Sequence, residues 1–368
     1  MSHYRFQLAD HNDDQELRQR MAEDWMPGKI TLSFRREPDY FMGNRVQGEQ
    51  VQVIKCTDEQ KSRIIGLGCR ALRNVWINGK PQRTGYLADL RAHPDYRNGT
   101  LLARGYKYLR QLHEADPVPL YYTMILEGNE TARRILTSQR ATLPAYQPMG
   151  RFLTPAIHLD LPKPELTMPG ITIRRATPDQ LPAVLRFIQA QYARKQLAPA
   201  WTAGDLENAR YAGLAADDIY LAMCGEELIG TLGAWDQGGF RQTCVERYSP
   251  MLKMLRPLYN AAAHFTPLKA LPKEGATIPS FYLSCIAIKN DDPEVFRLLL
   301  RQLYREKRAG PWHYFIGGLH ERDPLLNVLL EYRHIVTAGR LYVVHYPEDI
   351  SHYLQLDGRI PHVEIGSI

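Results

Sequence analysis

Residues 86–112 read YLADLRAHPDYRNGTLLARGYKYLRQL, and their patterns run in the order strand, sharp turn, helix. Leu87, Leu90 and Ala92 form a short apolar-rich run of the kind a partly buried strand shows. From Leu101 onward, Gly105, Tyr108, Leu109 and Leu112 continue an apolar set at helical spacing. Arg97-Asn98-Gly99-Thr100 stands at the start of that helix. A free helix N-terminus presents backbone N–H groups and a partial positive charge, which together with Arg97 suit a phosphate group. An ordinary strand–turn–helix unit with a glycine in its turn has the same pattern, because a glycine cradle is a weak signal by itself.

The chain has 368 residues, long for one domain and comfortable for two. A hydrophobic content of 44% and a charged content of 23% are those of a globular protein. Apolar runs break off well before membrane-spanning length, and no apolar signal segment precedes Asp10, so a cytoplasmic protein without a membrane partner is expected. Cysteines at 56, 69, 224, 244 and 285 are scattered without CxxC pairing, which points to reduced thiols. The histidines lack HxH or HExxH spacing, and no metal is expected. A net charge of +6 mildly favours an anionic ligand. No Lys/Arg block is interleaved with aromatics, which argues against nucleic acid.

The chain also repeats itself. A short strand pattern at residues 3–8 leads into Asp10 and an acidic first turn, with Leu17 and Met21 on one helical face. Ile171-Thr172-Ile173-Arg174-Arg175-Ala176-Thr177-Pro178 restates this opening, with Thr177 as N-cap, Pro178 at the first helical position and Val184, Leu185 and Ile188 as the apolar face. Pro155, Pro162, Pro164 and Pro169 crowd the stretch between the copies, a density that suits a linker. The expected division is therefore 1–162, a linker at 163–169, and 170–368, with Phe152 to Leu161 as the last strand of the first part. Asn78-Gly79 between two strand patterns signals a hairpin, and Gly225-Glu226 marks another. The long link at 240–279, with a helix near Met251 to Ala263, has room to cover a site, to meet a second subunit in a homodimer or to shape a pocket.

The run His93-Pro94-Asp95-Tyr96-Arg97-Asn98-Gly99-Thr100 resembles the acetyl-CoA pyrophosphate loop of the GCN5-related N-acetyltransferases, in a variant form. Arg97 matches the family's arginine. Asn98, Thr100 and Leu102 stand where the family usually has glycine or alanine. A second match follows at the right distance: the strand Leu120 to Leu126, then Asn129 and Ala132 in the family's N-x-x-A helix, whose asparagine contacts the pantetheine arm. Asn129 is equally suited to be a simple N-cap. The resemblance implies two tandem acyl-CoA N-acyltransferase folds, an α/β class in which each central mixed, mostly antiparallel sheet is flanked by helices. The second copy has Lys289-Asn290-Asp291-Asp292-Pro293 at its turn, where two aspartates would repel a pyrophosphate. One working and one degenerate half, as in the mycothiol synthase type, is the expected arrangement.

The resemblance further implies acetyl-CoA as cosubstrate, held by Leu90, Arg91, Ala92, Arg97, Asn98, Gly99, Thr100, Leu101, Asn129 and Arg133. An amine acceptor, a small molecule or a peptide, would attack directly in a ternary complex. A carboxylate is the natural base for an alkylammonium; Asp89 is the first candidate and Glu127 the second. The family's tyrosine acid has no counterpart near Leu136, which leaves Tyr122 or Tyr121 for that role. A non-catalytic CoA-binding or regulatory protein of the same fold is the alternative, and aminoacyl-tRNA-dependent peptide-bond formation a third reading.

Overall fold

The computed structural model describes residues 3–97, 100–138, 143–202, 204–205 and 209–368. The first half runs β1 (Tyr4–Leu8), α1 (Asp14–Glu23), β2 (Ile30–Arg35), α2 (Tyr40–Arg45), β3 (Gln50–Asp58), β4 (Arg63–Ile77), β5 (Lys80–Ala92), α3 (Leu101–Ala115), β6 (Tyr121–Leu126), α4 (Glu130–Leu136) and β7 (Ala145–His158). Residues 159–170 are coil apart from one bridge between Met168 and Ile171. The second half opens with β8 (Ile171–Arg175), α5 (Leu181–Tyr192), β9 (Ile219–Cys224), β10 (Glu227–Trp235), β11 (Gln242–Tyr248) and α6 (Pro250–Ala263). It continues through β12 (Ser280–Ile288), α7 (Pro293–Arg308), β13 (Tyr314–Ile316), β14 (Leu319–His320), α8 (Leu326–Leu330), β15 (His334–His345) and α9 (Ile350–Leu354).

Among the described residues, thirteen strands form one mixed, mostly antiparallel sheet in the order β1-β3-β4-β5-β6-β15-β7-β13-β12-β10-β9-β8, with β14 attached to β7. Read inward from its two edges, this sheet is the same half twice. At the centre the halves exchange strands. β15 of the second half lies between β6 and β7, and β7 of the first lies between β15 and β13. The β7–β15 ladder extends from Ala145 opposite His345 to Ile157 opposite His334, and Pro155 lies within it opposite Val336. A small second sheet, β2 with β11, ties the halves again.

Local chemistry explains most elements. Asn78 (φ 51°) and Gly79 (φ 78°) both adopt the left-handed backbone that a two-residue hairpin turn demands. Buried Val295, Phe296, Leu299, Leu300 and Leu303 form one stripe of α7, which packs over β9 and β10. Between the halves, Tyr122 and Phe152 of the first pack in one core with Leu197, Leu341, Val343 and Val363 of the second.

Each half contains one parallel pairing that is cut short. β5 and β6 pair only at Gly85–Tyr121 and Tyr86–Tyr122, and β12 and β13 only over Ser280–Tyr282. Beyond these points the strands part, giving each half a V-shaped opening. Gly85 allows the close crossing at the first apex, since a Cβ there would meet the Tyr121 ring at 2.1 Å. The second V is filled by the chain's own segment 361–367. Glu364, buried, accepts hydrogen bonds from the Cys285 N–H (3.2 Å) and the Tyr192 hydroxyl (3.1 Å). Burial pushes the Glu364 carboxyl up to about 7, against the opposing pull of those two hydrogen bonds and the Arg73 charge.

Two outcomes are expected. Residues 1–162 expressed alone lack β15, the neighbour of both β6 and β7, so this fragment should not unfold cooperatively; a folded monomer would show that β6 and β7 can pair directly. Between the ordinary glutamate value of 4.5 and about 7, the native state holds the Glu364 proton and the unfolded chain does not. That contribution to stability is fully present below the unfolded value and is lost as pH rises through the folded one, an effect of at most about 3 kcal/mol. The melting temperature of the wild type should therefore drop more from pH 5 to pH 8 than that of Glu364→Gln. Parallel curves would mean that Glu364 is already ionised in the native protein.

Candidate active site

At the mouth of each V the strand carries a bulge. The β4–β5 register steps from Cys69–Ala88 to Leu67–Arg91, leaving Asp89 and Leu90 opposite Gly68, and Asp89 takes a left-handed backbone (φ 51°). The β10–β12 register makes the same step between Gly233–Ser284 and Thr231–Ala287, where Cys285 has φ 53°. The bulges occupy matching positions in Tyr86-Leu87-Ala88-Asp89 and Tyr282-Leu283-Ser284-Cys285. In the first V the arms are exposed: Leu90 on β5 is 52% exposed and Leu126 on β6 is 41% exposed.

The side chain of Asp89 is almost wholly enclosed, and it gathers residues from distant parts of the chain. The Asn44 amide donates to its Oδ2 at 3.3 Å, the Tyr40 hydroxyl lies 3.4 Å from the same oxygen, and the Arg36 guanidinium stands 3.8 Å from Oδ1. Burial pushes the carboxyl up, but Arg36, Arg91, Arg241 and the Asn44 amide outweigh it and hold Asp89 below the usual carboxylate range. Arg241, contributed by β11's flank, is itself buried. It donates from Nε to the Gly43 carbonyl and from Nη1 to the carbonyls of Gly366 and Ile368, while its Nη2 has no partner among the described residues. Burial and the like charge of Arg36 push Arg241 down to about 10.

Below the bulge, Arg20, Arg91 and Arg97 converge on the single carboxylate of Asp24, at 2.5, 3.4 and 3.6 Å. Arg97 also donates from Nε to the Ala92 carbonyl (3.0 Å). Thr100 stands at the N-cap of α3, and its side chain makes no capping bond among the described residues. Leu101 is buried against Cys56 and Ile65. Asn98 and Gly99 lie outside the described residues. Asn129 caps α4 by accepting from the Ala132 N–H (3.2 Å), and Arg133 pairs with Glu130 of its own helix.

The remaining candidates sit elsewhere around the V. Tyr122 is enclosed in the core between the halves, its ring 5.0 Å from that of Tyr86, and burial raises its phenol above the ordinary value. Tyr121 faces the other side of the sheet, where its hydroxyl meets Arg70 Nε at 2.9 Å and His113 Nδ1 at 3.0 Å. Glu127 follows the free end of β6 and is clamped by Arg151 at 2.8 Å, with Arg340 at 3.8 Å; the Arg151 hydrogen bond holds its carboxyl below the usual range. Among the described residues, His113, Glu348 and Asp349 bring three ligand-type atoms within 4.8 Å. Arg110 lies 2.5 Å from Glu348 and forms an ion pair with it, while His113, whose imidazole burial pushes below its ordinary value, lies 3.4 Å from Asp349.

Sequence reading found Asp89 and its neighbour Arg91 but not Arg36, Tyr40, Asn44 or Arg241. Arg36, Tyr40 and Asn44 come from the β2–α2 region, and Arg241 from the other half. The one usable signal was the repeated Tyr-Leu before Asp89 and Cys285, which marks equivalent positions in the two copies.

Sequence comparison finds no matching family model and no matching curated protein. Solved structures are similar in fold. A GCN5-related N-acetyltransferase from Sphaerobacter thermophilus superposes with a TM-score of 0.59 at 11% identity, covering 93% of this chain and 96% of that one. An N-myristoyltransferase of Saccharomyces cerevisiae, solved with bound myristoyl-CoA, gives 0.62 at 10% identity, covering 94% of this chain and 80% of that one. A GCN5-related glucosamine N-acetyltransferase region of a fungal multi-domain β-N-acetylglucosaminidase gives 0.61 at 10% identity, covering 92% of this chain and 38% of that one. Over nearly its whole length, the chain has the fold of the GCN5-related N-acetyltransferases.

Proposed function

We propose that this protein is an acyl-CoA-dependent N-acyltransferase whose acyl donor lies in the V between β5 and β6, with acetyl-CoA as the first donor to test. The observation that carries this reading is the difference between the two Vs. The first is open along Leu90 and Leu126, whereas the second is filled by residues 361–367, with the Glu364 carboxylate on the amide of the bulge residue Cys285. The helix starts differ in the same sense. Asp292 caps α7 through the Glu294 N–H and Asp291 pairs with Lys195, while α3 begins at Thr100 beside the Arg20–Arg91–Arg97 cluster. An anionic diphosphate fits the first and is repelled by the second. The division into 1–162 and 170–368 then separates a donor-binding half from one that shapes the acceptor pocket. The N-myristoyltransferase likeness makes longer acyl chains the second donor class.

Bound acyl-CoA supplies an activated carbonyl; when a neutral amine adds there, the C–N bond forms as the C–S bond breaks and the thiolate takes up a proton. The chain's own groups prepare that step. Backbone N–H groups of Leu90 and Ala92 polarise the carbonyl, that of Arg91 being turned to Leu67 of β4. Asp89, ionised at neutral pH, holds the incoming ammonium at the bulge and takes up its proton directly or through one water. Arg36, Asn44 and Tyr40 fix the Asp89 carboxylate. Tyr122 and Glu127, the other candidates for proton transfer, would act through intervening groups, since one is enclosed and the other is clamped by Arg151. The acceptor is a small-molecule or peptide amine.

Isothermal titration with acetyl-CoA and myristoyl-CoA should find one site per chain for at least one donor. Thr100→Asp improves the α3 cap yet sets a negative charge beside the phosphates, so affinity should fall roughly tenfold or more with the melting temperature unchanged. Unaltered affinity would remove the donor from this V. Asp89→Asn keeps a residue that tolerates a left-handed backbone, and should lower kcat/KM by about two orders of magnitude with donor affinity retained. Donor binding with no transfer to any amine would instead support a CoA-binding regulatory protein.

A further inference from the structure

α6 exposes an apolar ridge that nothing in the described chain covers. Met251, Met254, Leu255 and Leu258 recur at the spacing of one helical stripe, and Phe265 follows just past the C-terminus. Met254 is 74% exposed, Leu258 71% and Phe265 91%. On its other side the helix is hydrogen-bonded to the segment that follows it, with none of its own residues buried. Asn260 accepts from the Leu271 N–H at 2.8 Å and donates to the Leu271 carbonyl at 3.1 Å, and Arg256 Nε reaches the same carbonyl at 3.2 Å. The outward stripe thus lies opposite the side that is bonded to Leu271. Isolated exposed apolar residues are ordinary, but a contiguous ridge marks a contact surface.

Charge identifies the partner. Residues 246–274 hold Arg247, Lys253, Arg256, Lys269 and Lys273 against Glu246 and Glu274; Lys253 pairs with Glu274 at 3.0 Å and Lys269 donates inward to the Arg308 and Gly310 carbonyls, so Arg247, Arg256 and Lys273 carry the positive surplus. Exposed Lys29 adjoins the start of α6, where its carbonyl accepts from the Ser249 N–H (2.9 Å). Trp25, 47% exposed, lies under the Arg247 guanidinium (5.4 Å) at the same end. A second copy meeting this face about a two-fold axis would set these cations against their own likes. The side chains of the ridge, 64% to 91% exposed at Met251, Met254, Leu258 and Phe265, stand out into solvent, which suits entry into a deformable apolar layer. An amphipathic helix bearing Met, Leu and Phe outward with flanking cations is the composition that lies in an anionic membrane interface. We propose that α6 and its basic flanks dock this protein on an anionic lipid surface, with the Met251–Leu258 stripe and Phe265 entering the acyl boundary.

Vesicle co-sedimentation of the full chain tests this independently of any acyltransfer. Vesicles of phosphatidylcholine containing phosphatidylglycerol should bind roughly tenfold or more tightly than phosphatidylcholine alone, and added salt should weaken the binding. The double variant Leu258→Glu/Phe265→Glu should lose it while keeping the wild-type melting temperature, because both side chains are solvent-facing in the free protein. No difference between the two lipid compositions, or undiminished binding by the double variant, would overturn the proposal. So would a dimer in light scattering that Leu258→Glu splits and that ignores vesicles, an outcome assigning the ridge to a second copy.

Discussion

The ladder between β7 and β15 is the constraint on which the rest of the molecule depends. It joins Ala145 to His345 and Ile157 to His334, two strands that belong to different halves and are separated by most of the second half. Once β15 is in place, β6 has its antiparallel neighbour on that side and is free to part from β5 beyond Tyr122. The first V is therefore held open by a strand from the second half. The same exchange places β7 beside β13 and supports the second V. Loop closure over so long a separation makes the pairing entropically demanding, and burial of Phe152, Leu341 and Val343 in the shared core offsets it.

That arrangement also explains the chemistry around Asp89. A carboxylate taken out of water is stable only when paired and hydrogen-bonded. Here the pairing needs both halves. Arg36 and Asn44 arrive from the β2–α2 region, and Arg241 from the end of the segment that pairs β11 with β2. The two-stranded sheet is thus the device that brings a second-half guanidinium to a first-half carboxylate. Arg241 in turn holds carbonyls at Gly43, Gly366 and Ile368, so the tail filling the second V and the carboxylate at the first are joined through one side chain.

Legibility in the sequence follows the range of each interaction. Asn78-Gly79 could be read because a two-residue turn is decided by its own backbone. The helix starts at Thr177 and Asn129 could be read for the same reason, and Asn129 does cap α4. The repetition of a strand-and-helix opening at residues 3–21 and 171–188 announced two copies of one fold, which the sheet displays from both edges. The exchange of β7 and β15 left no local mark, because either strand would show the same alternation beside any neighbour. Nor does Ala88-Asp89-Leu90 announce a bulge; only comparison with Ser284-Cys285-Ile286 in the other copy exposes the shared geometry. Apart from Arg91, the partners of Asp89 were hidden because Arg36, Tyr40, Asn44 and Arg241 all lie more than forty residues from it.

One geometry placed twice with different occupants says how such a chain divides labour. Asp89 and Cys285 have nearly the same φ on equivalent strands, so the backbone opening is a property of the fold, independent of the side chain standing at the bulge. What differs is local and electrostatic. Beside the first opening, arginines 20, 91 and 97 converge on Asp24, and Arg20 also pairs with Glu23. Beside the second, Asp291 and Asp323 both bind Lys195, Arg194 stands 3.9 Å from Asp291, and a carboxyl group from the chain's own tail accepts a hydrogen bond from the Cys285 amide. A bulge amide that offers a hydrogen bond and has no ligand must be satisfied from within; Glu364, itself buried, does this in the second half. The same tail that meets the Cys285 amide through Glu364 also offers the Gly366 and Ile368 carbonyls to Arg241, so one segment contacts both the second bulge and the guanidinium beside Asp89.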